Sequence, residues 1–190
     1  MKLLFRLRIE GEPLPDAGPV ILAPNHTSVL DPFAVNAAVP ARLRHEFYWG
    51  GWTGIAFRNA LFRGFSKIAR VVPINPERAV VSSLAFAAAI LEDGSNLTWF
   101  PEGERSASGE LGKLRPGIGA LLEQFSQVTV VPVQIDGAFE AWSLGRRLPR
   151  LRRITVTFGR ALSVDELEAK GRGDTKRDRI LSGLREAMQA

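Results

Sequence analysis

Apolar positions along this chain fall into short runs separated by polar turns, and two periodicities alternate. Residues 5–9 read F-R-L-R-I, an alternation of period two that predicts a half-buried strand. Residues 20–23 form an apolar run between Gly-Pro and Pro-Asn, the pattern of a strand covered on both faces. Ser28-x-x-Asp31 then fits a capping box, with Pro32 tolerated in the first turn of a helix that runs through FAVNAAV and stops before Pro40. Residues 45–67 are aromatic and glycine-rich and are placed only loosely. Strands are expected at 68–74, 96–100, 128–135 and 153–158. Helices are expected at 77–92, with Gly94 as the stop signal, and at 117–125. Ser163-x-x-Glu166 caps a further short helix, and residues 174–188 form the last. Strands alternating with helices predict an α/β fold: one domain over residues 1–190, with a central largely parallel or mixed sheet flanked by helices.

Composition narrows the chemistry. The 190 residues, 45% of them hydrophobic, suffice for one domain with a proper core, and neither a linker nor an internal repeat divides them. Cysteine is absent, which excludes disulfides, thiolate metal ligands and a cysteine nucleophile. The two histidines, His26 and His45, stand too far apart in sequence to suggest a metal site. A formal charge of +5 suits an anionic partner such as nucleic acid, an anionic membrane surface or a CoA-type substrate, and is equally compatible with ordinary solubility. No window approaches the ~20 apolar residues of a spanning helix. The opening MKLLFRLRIEG is too short and charged for a signal peptide, and nothing argues for secretion.

The informative polar segments, APNH and FPEGERS, both directly follow apolar strands, where open α/β sheets gather their ligand sites. His26 precedes Asp31 by five residues. On a regular helix such positions lie about 140° apart and do not share a face. They meet if His26 lies in the turn before the helix and Asp31 on its first turn. A carboxylate accepting from one imidazole nitrogen leaves the other as a proton acceptor and stabilises the imidazolium that follows. Asp31 is also placed to favour the helix N-terminus, and the two roles are compatible. In the FPEG loop, Arg105 can grip a phosphate bidentately or brace the loop against Glu102 or Glu104. The glycines and lysine of residues 109–113 lack the spacing of a phosphate loop. No serine lies in a G-x-S-x-G elbow. His45 has only Glu46 as an acidic neighbour and reads as a surface or interface residue.

Asn25-His26-x-x-x-x-Asp31 resembles the NHxxxxD motif of the glycerolipid acyltransferases, the lysophosphatidic acid (1-acylglycerol-3-phosphate) acyltransferase type. Residues 100–106, FPEGERS, resemble that family's FPEGTRS block, with Glu104 in place of threonine. Leu114-Arg115-Pro116-Gly117 and Val131-Pro132-Val133 resemble two later blocks, so the likeness covers about residues 18–159 in the family's order. The resemblance implies an O-acyltransferase that moves a fatty acyl group from acyl-CoA or acyl carrier protein to the hydroxyl of a lysophospholipid or 1-acylglycerol 3-phosphate. His26 would be the general base and Asp31 its orienting partner. Asn25, Glu102, Gly103, Arg105 and Arg115 would bind substrate, and neither cofactor nor metal is needed. Nucleic acid has no role in this chemistry. A cytoplasmic protein in peripheral contact with the inner face of a membrane is expected, and relatives can be fused to an acyl-activating domain. The rival classes are a non-catalytic lipid- or membrane-binding module of the same fold and a thioester or lipid hydrolase.

Two further features bear on the acceptor. The family often carries an arginine after its middle strand, whereas residues 72–76 read V-P-I-N-P with Pro76 at that place; Arg70 and Arg78 are the candidates to substitute. This leaves room for a lysophospholipid or another hydroxylated lipid as acceptor. Phe47, Tyr48, Trp49, Trp52, Phe57, Phe62 and Phe65, interleaved with Arg58, Arg63 and Lys67, suggest either an aromatic and basic membrane-facing patch or simply core.

Overall fold

The computed structural model describes residues 5–16, 18–52, 71–74 and 80–190. In chain order these form β1 (Arg8–Gly11), β2 (Val20–Pro24), α1 (Asp31–Ala38), a 3-10 turn (Arg44–Glu46), β3 (Phe47–Trp52) and β4 (Val71–Ile74). They continue with α2 (Val80–Glu92), β5 (Asn96–Thr98), α3 (Pro116–Gln124), β6 (Thr129–Asp136) and α4 (Ala138–Trp142). The last elements are β7 (Thr155–Phe158), β8 (Leu162–Ser163), α5 (Val164–Lys170) and α6 (Lys176–Gln189).

The described strands join in one sheet of order β1-β7-β6-β2-β5-β3-β4, with β8 paired to β6. All neighbours run parallel except β6 with β7 and β6 with β8, so the sheet is mixed, as expected from the alternation of elements. β2 sits at its centre, and every residue of it is buried. Side chains of a strand alternate between faces. Val20 and Leu22 accordingly join one core, with Ala34 and Val35 of α1 and Ala138 and Ala141 of α4. Ile21 and Ala23 join the other, with residues from α2, α3, α5 and α6. The apolar run at 20–23 is thus continuous because both of its faces are covered by helices.

Several local signals act as the sequence predicts. Gly94 adopts φ 76°, and the Gly94 and Ser95 amides bond back to Leu91 and Ile90, ending α2 in a Schellman arrangement. Ser163 with Glu166 forms the expected capping box. Thr175 with Asp178 forms a second one, beyond those expected from the sequence. The Ser163 amide and then the Arg160 guanidinium hold the Glu166 carboxyl below its ordinary range. Other signals mislead. The F-R-L-R-I alternation does not begin a strand at Phe5: β1 starts at Arg8, where its partner β7 begins, and Phe5 is buried in the preceding turn. Strand pairing, not alternation, decides where an edge strand starts. Of the aromatic group, Phe47 and Trp49 belong to the core beneath α1, and Tyr48 packs against the opposite core. A membrane-facing role for Phe47 and Trp49 is therefore replaced by burial, because β3 is an interior strand between β5 and β4. The side chains of Trp52, Phe57, Phe62, Phe65, Arg58, Arg63 and Lys67 lie outside the described residues, as do Arg70, Pro76 and Arg78.

α5 and α6 pack closely, and Gly183 permits it: a Cβ there would stand 1.9 Å from the Leu167 carbonyl oxygen. Gly183→Ala is expected to lower the urea midpoint with m unchanged, at a cost of about 1–3 kcal/mol from overpacking. Helix propensity alone has the opposite sign, at about 1 kcal/mol in favour of alanine. A raised midpoint would therefore contradict the close contact.

Candidate active site

The site forms where β2 and β5 end side by side, since these parallel neighbours deliver their following loops to the same edge of the sheet. Beyond the end of β2, the Asn25 side chain acts as one more rung of the ladder. Its Oδ1 accepts from the Ile135 amide at 2.7 Å and its Nδ2 donates to the Ile135 carbonyl at 3.2 Å. This fixes the start of the turn that carries His26.

The turn then wraps around the carboxylate of Asp31, which is fully buried. Asp31 Oδ2 accepts from the amides of Thr27 and Ser28, each at 2.6 Å, and lies 2.9 Å from His26 Nδ1. An ionised carboxylate only accepts, so this contact assigns the proton to Nδ1 and leaves the Nε2 lone pair free. The His26 side chain is 18% exposed, and its ring leans on Phe100 with centroids 4.2 Å apart. The expected meeting of the two residues therefore occurs, but the capping box does not close. α1 begins at Asp31 after Leu30, with no side-chain cap. Asp31 supplies its half of the box to the Ser28 amide. The Ser28 hydroxyl instead accepts from the Leu30 amide and donates to the Trp142 carbonyl at 2.7 Å.

The second loop clamps the backbone of His26. Glu102, 3% exposed, accepts from the His26 amide through Oε1 and from the Gly112 amide through Oε2, both at 2.7 Å. The Ser106 amide donates to the His26 carbonyl at 2.7 Å, so both polar backbone atoms of His26 are held by this loop. Gly103, at φ 71°, supplies the left-handed residue of the turn, and its amide bonds to the Phe100 carbonyl. Arg115 bonds through its amide to Pro101 and through Nε to the Glu102 carbonyl, and pairs with Glu104.

The expected site residues thus converge, but their engagements differ from the expectation. Asn25 and Glu102, expected to bind substrate, have their polar side-chain atoms committed to the backbone. Each is partly or wholly buried, and a buried polar group needs such partners. Arg115 is already matched by Glu104, the residue that stands where the family has threonine. Arg105 braces neither Glu102 nor Glu104. It is half-buried and makes no hydrogen bond or ion pair among the described residues. His45 is exposed beside Glu46 at 3.9 Å and takes no part.

Sequence reasoning missed Arg185 of α6, whose guanidinium donates to the Leu111 and Gly112 carbonyls and so steadies the peptide that meets Glu102. Gly112 is equally constrained: a Cβ there would stand 2.8 Å from Glu102 Oε2. No local signal marks Arg185, which lies 73 residues from its partner.

Glu102→Gln tests this bracing. Each Glu102 oxygen faces an N–H, so an amide group must set donor against donor on one side. Stability is expected to fall by about 1–3 kcal/mol, with turnover falling alongside. A variant of unchanged stability whose only defect is a raised KM would show that Glu102 binds substrate instead.

Comparison with known proteins identifies the family and the fold. The chain is 25% identical over 166 residues to a 1-acyl-sn-glycerol-3-phosphate acyltransferase of Cocos nucifera, covering 85% of this chain and 51% of that protein. It is 30% identical over 137 residues to the chloroplastic 1-acyl-sn-glycerol-3-phosphate acyltransferase of Arabidopsis thaliana, covering 70% and 36%. The chain therefore spans about half of the length of the first of these curated relatives and about a third of the second. The crystal structure of the 1-acyl-sn-glycerophosphate acyltransferase PlsC from Thermotoga maritima shares the fold, with a TM-score of 0.73 at 18% identity over 97% of this chain and 71% of that one. The model of the Acyltransferase family matches residues 6–136, and the chain belongs to that family.

Proposed function

We propose that this chain transfers a fatty acyl group from a thioester, acyl-CoA or acyl carrier protein, to the hydroxyl of a lysophospholipid or 1-acylglycerol 3-phosphate. The observation that carries this reading is the 2.9 Å contact between Asp31 Oδ2 and His26 Nδ1, which leaves Nε2 as a proton acceptor in a partly exposed ring. In the proposed reaction Nε2 takes the acceptor's hydroxyl proton as its oxygen attacks the thioester carbonyl carbon. Asp31 stabilises the imidazolium so formed. The tetrahedral intermediate then collapses, the C–S bond breaks, and the departing sulfur recovers the proton from Nε2. The products are an ester and a free thiol, and no acyl-enzyme is needed.

Arg105, uncommitted among the described residues in the loop beside His26, is the residue proposed to hold the acceptor's phosphate, with Arg115 contributing charge shared with Glu104. Glu102, Gly103 and Asn25 serve by fixing the backbone around His26. A lipid acceptor places the reaction at a membrane surface. Among the described residues no helix is long and apolar enough to cross a bilayer, which is compatible with peripheral contact.

Thiol release from an acyl thioester, measured with and without added lysolipid, tests the reading. Release should depend on the lysolipid and appear as new ester by mass spectrometry. His26→Ala should reduce it about 10²–10⁴-fold with the fold intact. Arg105→Lys should raise the acceptor KM more than the donor KM, because an ammonium lacks the forked contact. Release that ignores the acceptor would identify a hydrolase, and near-normal turnover in His26→Ala would overturn the mechanism.

A further inference from the structure

The segment after α4 carries a charge and apolar pattern that the active site does not use. Residues 144–153 read L-G-R-R-L-P-R-L-R-R, and no acidic residue occurs between Glu140 and Asp165. The five arginines equal the whole formal charge of +5, since the other twenty basic residues balance the twenty acidic ones. Among the described residues none of these five forms an ion pair, and Arg147, Arg150, Arg152 and Arg153 are exposed. Three leucines stand among them with their side chains in solvent: Leu144 is 55% exposed, Leu148 76% and Leu151 72%. Single exposed leucines are ordinary. Three within eight residues, alternating with unmatched guanidinium groups, form a surface that is apolar and cationic at once.

The base of the segment is held in place. Trp142 Nε1 donates to the Arg146 carbonyl at 2.8 Å, the Arg150 amide donates to the Ala141 carbonyl at 2.8 Å, and Arg146 donates to the Glu140 carbonyl at 2.7 Å. The same α4 accepts the Ser28 hydroxyl bond at Trp142, and Phe139 lies against Gly109 of the loop that clamps His26. The segment is therefore anchored on the helix that abuts the catalytic turn.

We propose that residues 144–153 dock the protein on an anionic lipid bilayer beside the active site, a choice of partner that rests on the proposed lipid acceptor. The arginines face the phosphate layer, while Leu148 and Leu151 enter the headgroup and upper acyl region. An acidic protein surface would match the arginines but would give the exposed leucines on either side of Arg150 less to bury in.

Co-sedimentation with vesicles of phosphatidylcholine, alone or mixed with phosphatidylglycerol, tests the proposal on the folded chain. The parent should bind the mixed vesicles, more weakly as salt rises. Arg147→Gln/Arg152→Gln should weaken that binding about tenfold or more, each basic group near an anionic surface being worth about fivefold. Leu148→Ser/Leu151→Ser should weaken it comparably, with less dependence on salt. Both pairs are exposed and outside the catalytic turn, so transfer to a short-chain lysolipid dispersed in detergent should stay near the parent's. Undiminished sedimentation of both variants overturns the proposal. So does a loss confined to binding of acyl carrier protein, which would assign the surface to the donor. A parent that sediments as described but transfers no acyl group would overturn the reading of function while supporting the docking surface.

Discussion

One carboxylate oxygen organises the candidate site. Asp31 Oδ2 gathers three N–H groups from the turn before α1, two from the backbone and one from the imidazole. Burying a carboxylate is costly unless donors replace the water it loses, and here the donors are the turn itself. The conformation that satisfies Asp31 Oδ2 is therefore the one that presents His26, while Oδ1 is buried without a hydrogen-bond partner among the described residues. This explains why the histidine sits in a turn five residues upstream rather than on the helix, where the two side chains would diverge.

A second buried carboxylate repeats the principle from the other side. Glu102 takes the amide of His26 with one oxygen and that of Gly112 with the other, and Arg185 supports the Gly112 peptide from α6. Neither bond would exist without the parallel pairing of β2 with β5, which brings two loops from distant parts of the chain to the same edge. The core beneath α1 and α4 and the core beneath α2, α3, α5 and α6 fix that pairing from both faces. The site inherits its rigidity from the centre of the sheet.

What the sequence made legible were features whose physical cause is local. The buried run of β2, the Gly94 stop, the capping box at Ser163 and the pairing of His26 with Asp31 all arise within a few residues. The unforeseen features have long-range causes. α4 is too short to show a helical period, and β8 is a two-residue pairing. The structural engagement of Asn25 and Glu102 depends on Ile135 and Gly112, and nothing near either residue announces it. The aromatic run at 47–49 shows the same limit: composition offered a membrane face or core for Phe47 and Trp49, and the position of β3 inside the sheet decided for core. The leucines of 144–153, by contrast, stayed exposed because no element of the described fold covers them.

The most direct measurement of the central relation between Asp31 and His26 is the nitrogen-15 spectrum of the His26 ring in the unliganded protein, compared with that of Asp31→Asn. At a pH where the ring is neutral, the resonances should show the Nδ1–H tautomer with an unprotonated Nε2, and the substitution should shift the balance towards Nε2–H. A neutral ring protonated at Nε2 in the parent, or a tautomer indifferent to Asp31→Asn, would contradict the claim that Asp31 prepares His26 to accept a proton.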